Sequence, residues 1–162
     1  MTEGLKTDVL RNVLLELFTE AYTDPNGPNT WFIDNRPGSG LFGTLDRVSA
    51  EDASRLSPTG SSIAAHAEHL RWSLALTSAY VRGENPTPSW AESWTVKTVD
   101  VEAWKKLQAD LRREYEEVAA ALGRQKDLSD PQMLTGVMAL TPHAAYHLGA
   151  VRQLVNALQN AL

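Results

Sequence analysis

The chain has 162 residues, 43% hydrophobic and 22% charged, which is the size and balance of one globular domain with its own core. A formal net charge of −5 without any Lys/Arg cluster removes the electrostatic footprint of a nucleic-acid binder, and no apolar run approaches the ~20 residues that span a bilayer. Cysteine is absent, so disulfides, thiolate ligands and a cysteine nucleophile are excluded together, and any thiol chemistry needs a thiol from outside.

The N-terminal run Met1-Thr2-Glu3-Gly4-Leu5-Lys6 lacks the charged-then-apolar plan of a secretory leader, which predicts a cytoplasmic protein with neither membrane nor nucleic acid among its partners. From Leu5 to Tyr22, apolar residues at Val9, Leu10, Val13, Leu14, Leu17, Phe18 and Ala21 form the stripe of an amphipathic helix. Thr23-Asp24-Pro25-Asn26-Gly27-Pro28 stops it, and a long Gly/Pro/Asn-rich connection follows to about Gly43, of the kind that is functional or mobile. Within it, Gly38-Ser39-Gly40-Leu41-Phe42-Gly43 matches G-x-G-x-x-G, but no strand precedes it and no βαβ unit surrounds it, so it reads as flexible loop rather than a dinucleotide site.

Ser49-Ala50-Glu51-Asp52 has capping-box spacing and predicts a short helix ending near Leu56-Ser57-Pro58. Ser61 or Ser62 then caps a second long helix whose apolar face is Ile63, Ala67, Leu70, Leu74 and Val81, ended by Gly83 and Pro86. Beyond a loop carrying Trp90 and Trp94, Asp100 caps a third helix with Trp104, Leu107, Leu111, Val118 and Leu122 on one side. Arg112 with Glu116 and Arg113 with Glu117 are spaced as i,i+4 pairs on its solvated side. Gly123 stops this helix, Pro131 opens a short helical turn, and Thr141-Pro142 reads as an N-cap with proline at the first position of the last helix, which runs almost to Leu162. Nothing alternates with the period of a strand. The expected fold is all-α, an antiparallel four-helix bundle with a long first connection and short extra helical turns, in a single domain over residues 1–162.

All four histidines fall on two of these helices, His66 and His69 on the second, His143 and His147 on the last. His143 and His147 are i and i+4, so their rings leave one helix face about 5 to 6 Å apart at Cβ, a spacing that brackets one ion with Zn–N bonds of about 2.0 to 2.1 Å. A third imidazole from a facing helix, His69 or His66, completes three corners of a tetrahedron or half an octahedron. The spacing alone leaves open that each ring instead donates to a carbonyl.

Ser61-Ser62-Ile63-Ala64-Ala65-His66-Ala67-Glu68-His69-Leu70, together with His143-Ala144-Ala145-Tyr146-His147-Leu148-Gly149, resembles the DinB-like superfamily of bacterial metal-binding helical bundles. There, a histidine six residues after a Ser/Thr-Ile pair joins a His-x-x-x-His-x-Gly motif on the last helix. The resemblance spans the chain from the first helix to Val155 and includes Trp94 and Trp104. It implies His69, His143 and His147 as ligands of one divalent metal ion, Zn or Ni first among the candidates. His66 is a departure, since the superfamily usually has an apolar residue there. It is open as a fourth ligand, as a hydrogen-bonding partner or proton carrier behind a ligand, or as a core histidine satisfied by a carbonyl, with the role behind a ligand put first. The superfamily's frequent Gln after the motif glycine is Ala150 here.

Three neutral imidazoles leave an ion its full charge and an open coordination position, where a water or a thiol is held in ionised form. The resemblance extends to thiol transferases and isomerases that use bacillithiol or mycothiol. The isomerases carry a further C-terminal domain that is not expected here, so no substrate is carried over from them. The leading expectation is thus a metal-dependent transferase acting on a small-molecule substrate with a low-molecular-weight thiol as cosubstrate. Metal-dependent hydrolysis and a non-catalytic, stress-associated metal-binding role are the alternatives, and a homodimer is expected from the superfamily and the tryptophan content.

Overall fold

The computed structural model describes residues 6–25 and 27–159. The run Met1 to Leu5, Asn26 and the C-terminal Leu162 named above lie outside the described residues. Among those described, every regular element is helical. Four long helices, α1 (Thr7–Tyr22), α4 (Ile63–Val81), α5 (Val101–Gly123) and α6 (Pro131–Gln159), are joined by short helices α2 (Leu41–Leu45) and α3 (Ala50–Ala53) and a 3₁₀ turn at Glu92–Trp94. Helix α4 packs on α5 and α6, and α1 packs on the same two, so α1 and α4 sit diagonally across a shared core.

Leu14, Phe18, Ala21 and Tyr22 are buried along α1, while Val9 and Val13, in the predicted stripe, are each 45% exposed. The stripe enters the main core from Phe18 on, while Leu10 and Leu14 pack into a smaller apolar cluster with Leu122 and Leu128. Phe18, Tyr22, Phe42 and Tyr115 form an aromatic cluster with ring centroids 5.0 to 5.5 Å apart, which knits α1, α2 and α5 together. Trp104 is buried, and its indole Nε1 donates to the Val48 carbonyl at 2.8 Å. Ser49, Ser62 and Asp100 cap α3, α4 and α5 with their side chains, satisfying amides at each N-terminus. Gly83, at φ +80°, takes the left-handed conformation just past α4, which glycine adopts without a Cβ penalty.

Four local expectations are corrected. The connection after α1 is packed, not flexible, at the glycine motif: Ser39 and Gly40 are buried and the motif opens α2. A Cβ on Gly40 would run into the Thr23 carbonyl, so glycine is there for close approach of two backbones. Helix α3 ends at Ala53, short of Leu56: Ser54 caps it, its hydroxyl donating back to the Ala50 carbonyl at 2.8 Å and accepting from the Val99 amide at 2.8 Å, which ties the chain to the approach to α5. The i,i+4 pairs on α5 are not formed. Arg112 pairs with Asp46 and lies 4.4 Å above the Phe42 ring, while Arg113 pairs with Asp110 and Glu114. For Arg112, a cation–π contact combined with an ion pair outweighs an exposed helix pair.

The fourth correction concerns the last helix. Thr141 and Pro142 do not begin it; α6 is continuous from Pro131 to Gln159 with Pro142 inside. Proline there removes the hydrogen bond to the Met138 carbonyl and crowds it. Leu140 and Ala144, on either side, are both buried in the main core, and that burial holds the helix through the defect.

Candidate metal centre

Helices α4 and α6 bring all four histidines together. The facing stretches are rich in small buried residues, Ala64, Ala65 and Ala67 on one helix and Ala144 on the other, which leaves room for imidazoles to reach across. His69, His143 and His147 each offer a ring nitrogen, and these atoms all lie within 4.8 Å of one another. Nε2 of His143 is 3.0 Å from Nε2 of His69 and 3.1 Å from Nε2 of His147. Nitrogens held at about 2.05 Å from one ion are separated by about 2.9 Å at 90° and about 3.3 Å at the tetrahedral angle. The two separations about His143 fall inside that interval, and the three rings together could hold one divalent ion. No Asp or Glu belongs to the group among the described residues, and the ligand set is uncharged.

Each ring is oriented from behind. His69 Nδ1 lies 2.8 Å from the Ser93 hydroxyl, and that hydroxyl donates to the Trp90 carbonyl at 2.7 Å. Having one proton, Ser93 accepts from His69 Nδ1–H, which leaves Nε2 as the lone-pair nitrogen facing the cluster. His143 Nδ1 has the Ser73 hydroxyl at 3.5 Å. His147 Nδ1 meets Nδ1 of His66 at 2.8 Å, and Nε2 of His66 meets the Ser61 hydroxyl at 2.9 Å. Both nitrogens of His66 are thus engaged away from the point where the other three converge, on an imidazole and a hydroxyl rather than on a carbonyl.

Burial sets the protonation state. His69 and His147 are buried and His143 is half-buried. Burial first, then the neighbouring imidazoles His143 and His66, pushes His69 down to about 4. The same causes, with His69 added, push His147 down to about 3. Burial alone lowers His66 and His143 below the usual imidazole range. At neutral pH the site is a set of neutral rings, the form that ligates metals.

The 3₁₀ turn roofs the site. Trp94 stacks on His69 with centroids 4.2 Å apart and planes at 20°, and meets His66 edge-on at 5.5 Å. Trp90 lies 6.0 Å from His69 and 5.0 Å from Trp72. Trp31 lies elsewhere, with its indole donating to Glu16 at 2.9 Å. Ser62 anchors the roof, donating to the Lys97 carbonyl at 2.7 Å while it caps α4. A cleft of about 600 Å³ opens beside His66, lined by Ser61, Trp94, Lys97, Tyr146 and Gln153 among others. Tyr146 is 72% exposed, and its ring meets His147 edge-on at 5.0 Å. Another cleft, of about 450 Å³, lies between α1 and the connection after it and contains no histidine.

Ser73 and Ser93 escape sequence reasoning because serine is common and each acts across a fold-dependent distance, while Ser61, read in the sequence only as a cap candidate, meets His66 five residues on. Only the adjacency of Ser93 to Trp94 offers a signal, and it is a weak one. The sequence matches no protein-family model, no curated protein and no solved structure.

Proposed function

We propose that the chain binds one divalent metal ion through Nε2 of His69, His143 and His147, in the manner of the DinB-like superfamily, and uses it as a reaction centre. The observation that carries this is the pair of Nε2 separations, 3.0 and 3.1 Å about His143, between rings that burial keeps neutral. Zn and Ni are the first candidates, since imidazole suits both. Three protein ligands leave the fourth position to a small molecule.

The reaction we propose is substitution at an electrophilic carbon of a small molecule by the sulfur of a low-molecular-weight thiol: the S–H proton is lost to solvent, the S–C bond forms, and the leaving group departs with the electron pair of the broken bond. Support comes from the resemblance, from an uncharged ligand set that leaves the ion's charge to an anionic ligand, and from a chain without cysteine, in which the thiol has to be a cosubstrate. The ion supplies ionisation of that thiol. The residues supply the rest: the histidines fix the position, Trp94 and Trp90 shield one side, and the cleft beside His66 offers space for the partner molecule.

Metal titration of the metal-free protein is expected to show one equivalent of Zn²⁺ or Ni²⁺ bound. His69→Ala, His143→Ala and His147→Ala are each expected to weaken binding at least about 100-fold, and wild-type binding in all three sinks the proposal. Turnover of a model electrophile by the metal-loaded protein is expected to require an added thiol. Turnover without one assigns hydrolysis instead, and inertness to a broad thiol panel leaves a metal-binding protein.

A further inference from the structure

The hydrogen-bond network around the four histidines fixes where every ring proton resides, starting from one serine. Ser93 gives its only proton to the Trp90 carbonyl, so His69 carries its proton on Nδ1 and presents a lone pair at Nε2. His143 Nε2, 3.0 Å away, must then be the protonated partner, because two lone pairs repel at that distance. His147 Nε2, 3.1 Å from the same N–H, is consequently a lone pair as well. A neutral His147 therefore carries its proton on Nδ1 and donates it to Nδ1 of His66 across 2.8 Å. His66 in turn is protonated on Nε2 and donates to the Ser61 hydroxyl at 2.9 Å.

We propose that His66 is a positioning residue that holds His147 in the tautomer able to ligate a metal through Nε2, with Ser61 holding His66 in the tautomer able to accept. The inference rests on the three-histidine metal site proposed above. An imidazole behind a ligating imidazole takes the place of the carboxylate or carbonyl that usually accepts from such a ring. It does so without adding negative charge, so the ion keeps its full charge toward a bound anion.

A further consequence concerns loading. His69 and His147 already present lone pairs, whereas His143 has its Nε2–H where the ion must sit. Loading moves that proton to Nδ1, where the Ser73 hydroxyl waits at 3.5 Å. The ring stays neutral: Nε2 loses one proton and Nδ1 gains one. His143 is the half-buried member of the trio, the one with access to solvent for this exchange.

Long-range ¹H–¹⁵N spectra of the metal-free protein distinguish the tautomers, independently of any activity. The expected result is Nδ1–H for His69 and His147, and Nε2–H for His66 and His143, with only His143 switching on addition of Zn²⁺. His147 found as Nε2–H in the metal-free wild type overturns the proposal. His66→Leu is expected to weaken Zn²⁺ binding about 10- to 100-fold. His66→Asn, whose amide oxygen occupies the place of Nδ1, is expected to recover affinity to within a few-fold. Equal losses in both variants, with unchanged thermal midpoints, also overturn it. Loss of binding in the His69, His143 and His147 alanine variants, with no effect of His66→Leu, refutes this inference and leaves the metal site standing; no loss in any of them refutes the site itself.

Discussion

At the scale of single residues, the depressed histidine pKa values dictate how the centre responds to acid. His69 and His147 titrate near 4 and 3 when folded, against about 6.5 in an unfolded chain. The native state therefore binds fewer protons than the unfolded state between these limits, and stability rises with pH there. The metal-free fold is fully stable with respect to these groups above about 6.5 and loses stability as pH falls toward 4. Metal affinity follows the folded values instead. Three ordinary histidines would each be about tenfold protonated at pH 5.5 and would lose about 10³-fold in affinity relative to neutral pH. Here Zn²⁺ affinity, measured by chelator competition, is expected to change by less than about tenfold between pH 7.5 and 5.5, while the thermal midpoint of metal-free protein falls over the same range. A 10³-fold loss of affinity would mean that the rings are not held neutral by burial.

At the scale of elements, two features carry measurable strain or support. Pro142 sits inside α6, where an interior proline costs about 3 kcal/mol relative to a residue with an N–H. Pro142→Ala is expected to raise stability by about 1 to 3 kcal/mol in urea unfolding; an unchanged midpoint would mean that α6 is in effect two helices joined there. Glu20, buried at the end of α1, accepts from the amides of Trp31 and Phe32 at 2.8 Å and of Ile33 at 3.1 Å. It pins the long connection that composition alone marks as loose. Glu20→Ala leaves three amides without their acceptor and is expected to destabilise by about 3 kcal/mol or more, with new protease cleavage between residues 27 and 40. What is legible in the sequence at this scale follows from local rules. Ser49 and Asp100 cap where they are expected to, and Ser62 is one of the two serines expected before α4, because an N-cap needs only its own next three residues. Pro142 misleads because a helix start and a tolerated interior proline look alike until the burial of Leu140 and Ala144 is known. The role of Glu20 is invisible for the same reason: its partners lie 11 to 13 residues away, across a turn that no periodicity encodes. The pairing of His143 with His147 is likewise local, as is Ser61 behind His66, five residues away, whereas Ser93 behind His69 depends on how α4 and the 3₁₀ turn meet.

At the scale of the whole molecule, the proposed ligands come from two helices that are 74 residues apart in sequence at His69 and His143, so an ion bound there links α4 to α6 across the core. The unfolded chain has no such convergence of three imidazoles, and binding energy is therefore folding energy. Free Zn²⁺ at 100 times its dissociation constant adds about 2.7 kcal/mol. For a domain of this length, each kcal/mol corresponds to about 2 to 4 °C in the thermal midpoint, so loading is expected to raise the midpoint by about 5 to 11 °C and a chelator to reverse it. His147→Ala is expected to abolish the metal-dependent increment. Trp94→Ala removes the stack on His69 without removing a ligand, so its increment is expected to persist at reduced size. An increment of equal size in the His147→Ala protein would place the bound ion elsewhere on the surface. No increment in the wild type, at metal concentrations well above the dissociation constant expected of three imidazoles, would mean that the folded chain holds no ion there and would overturn the proposed centre.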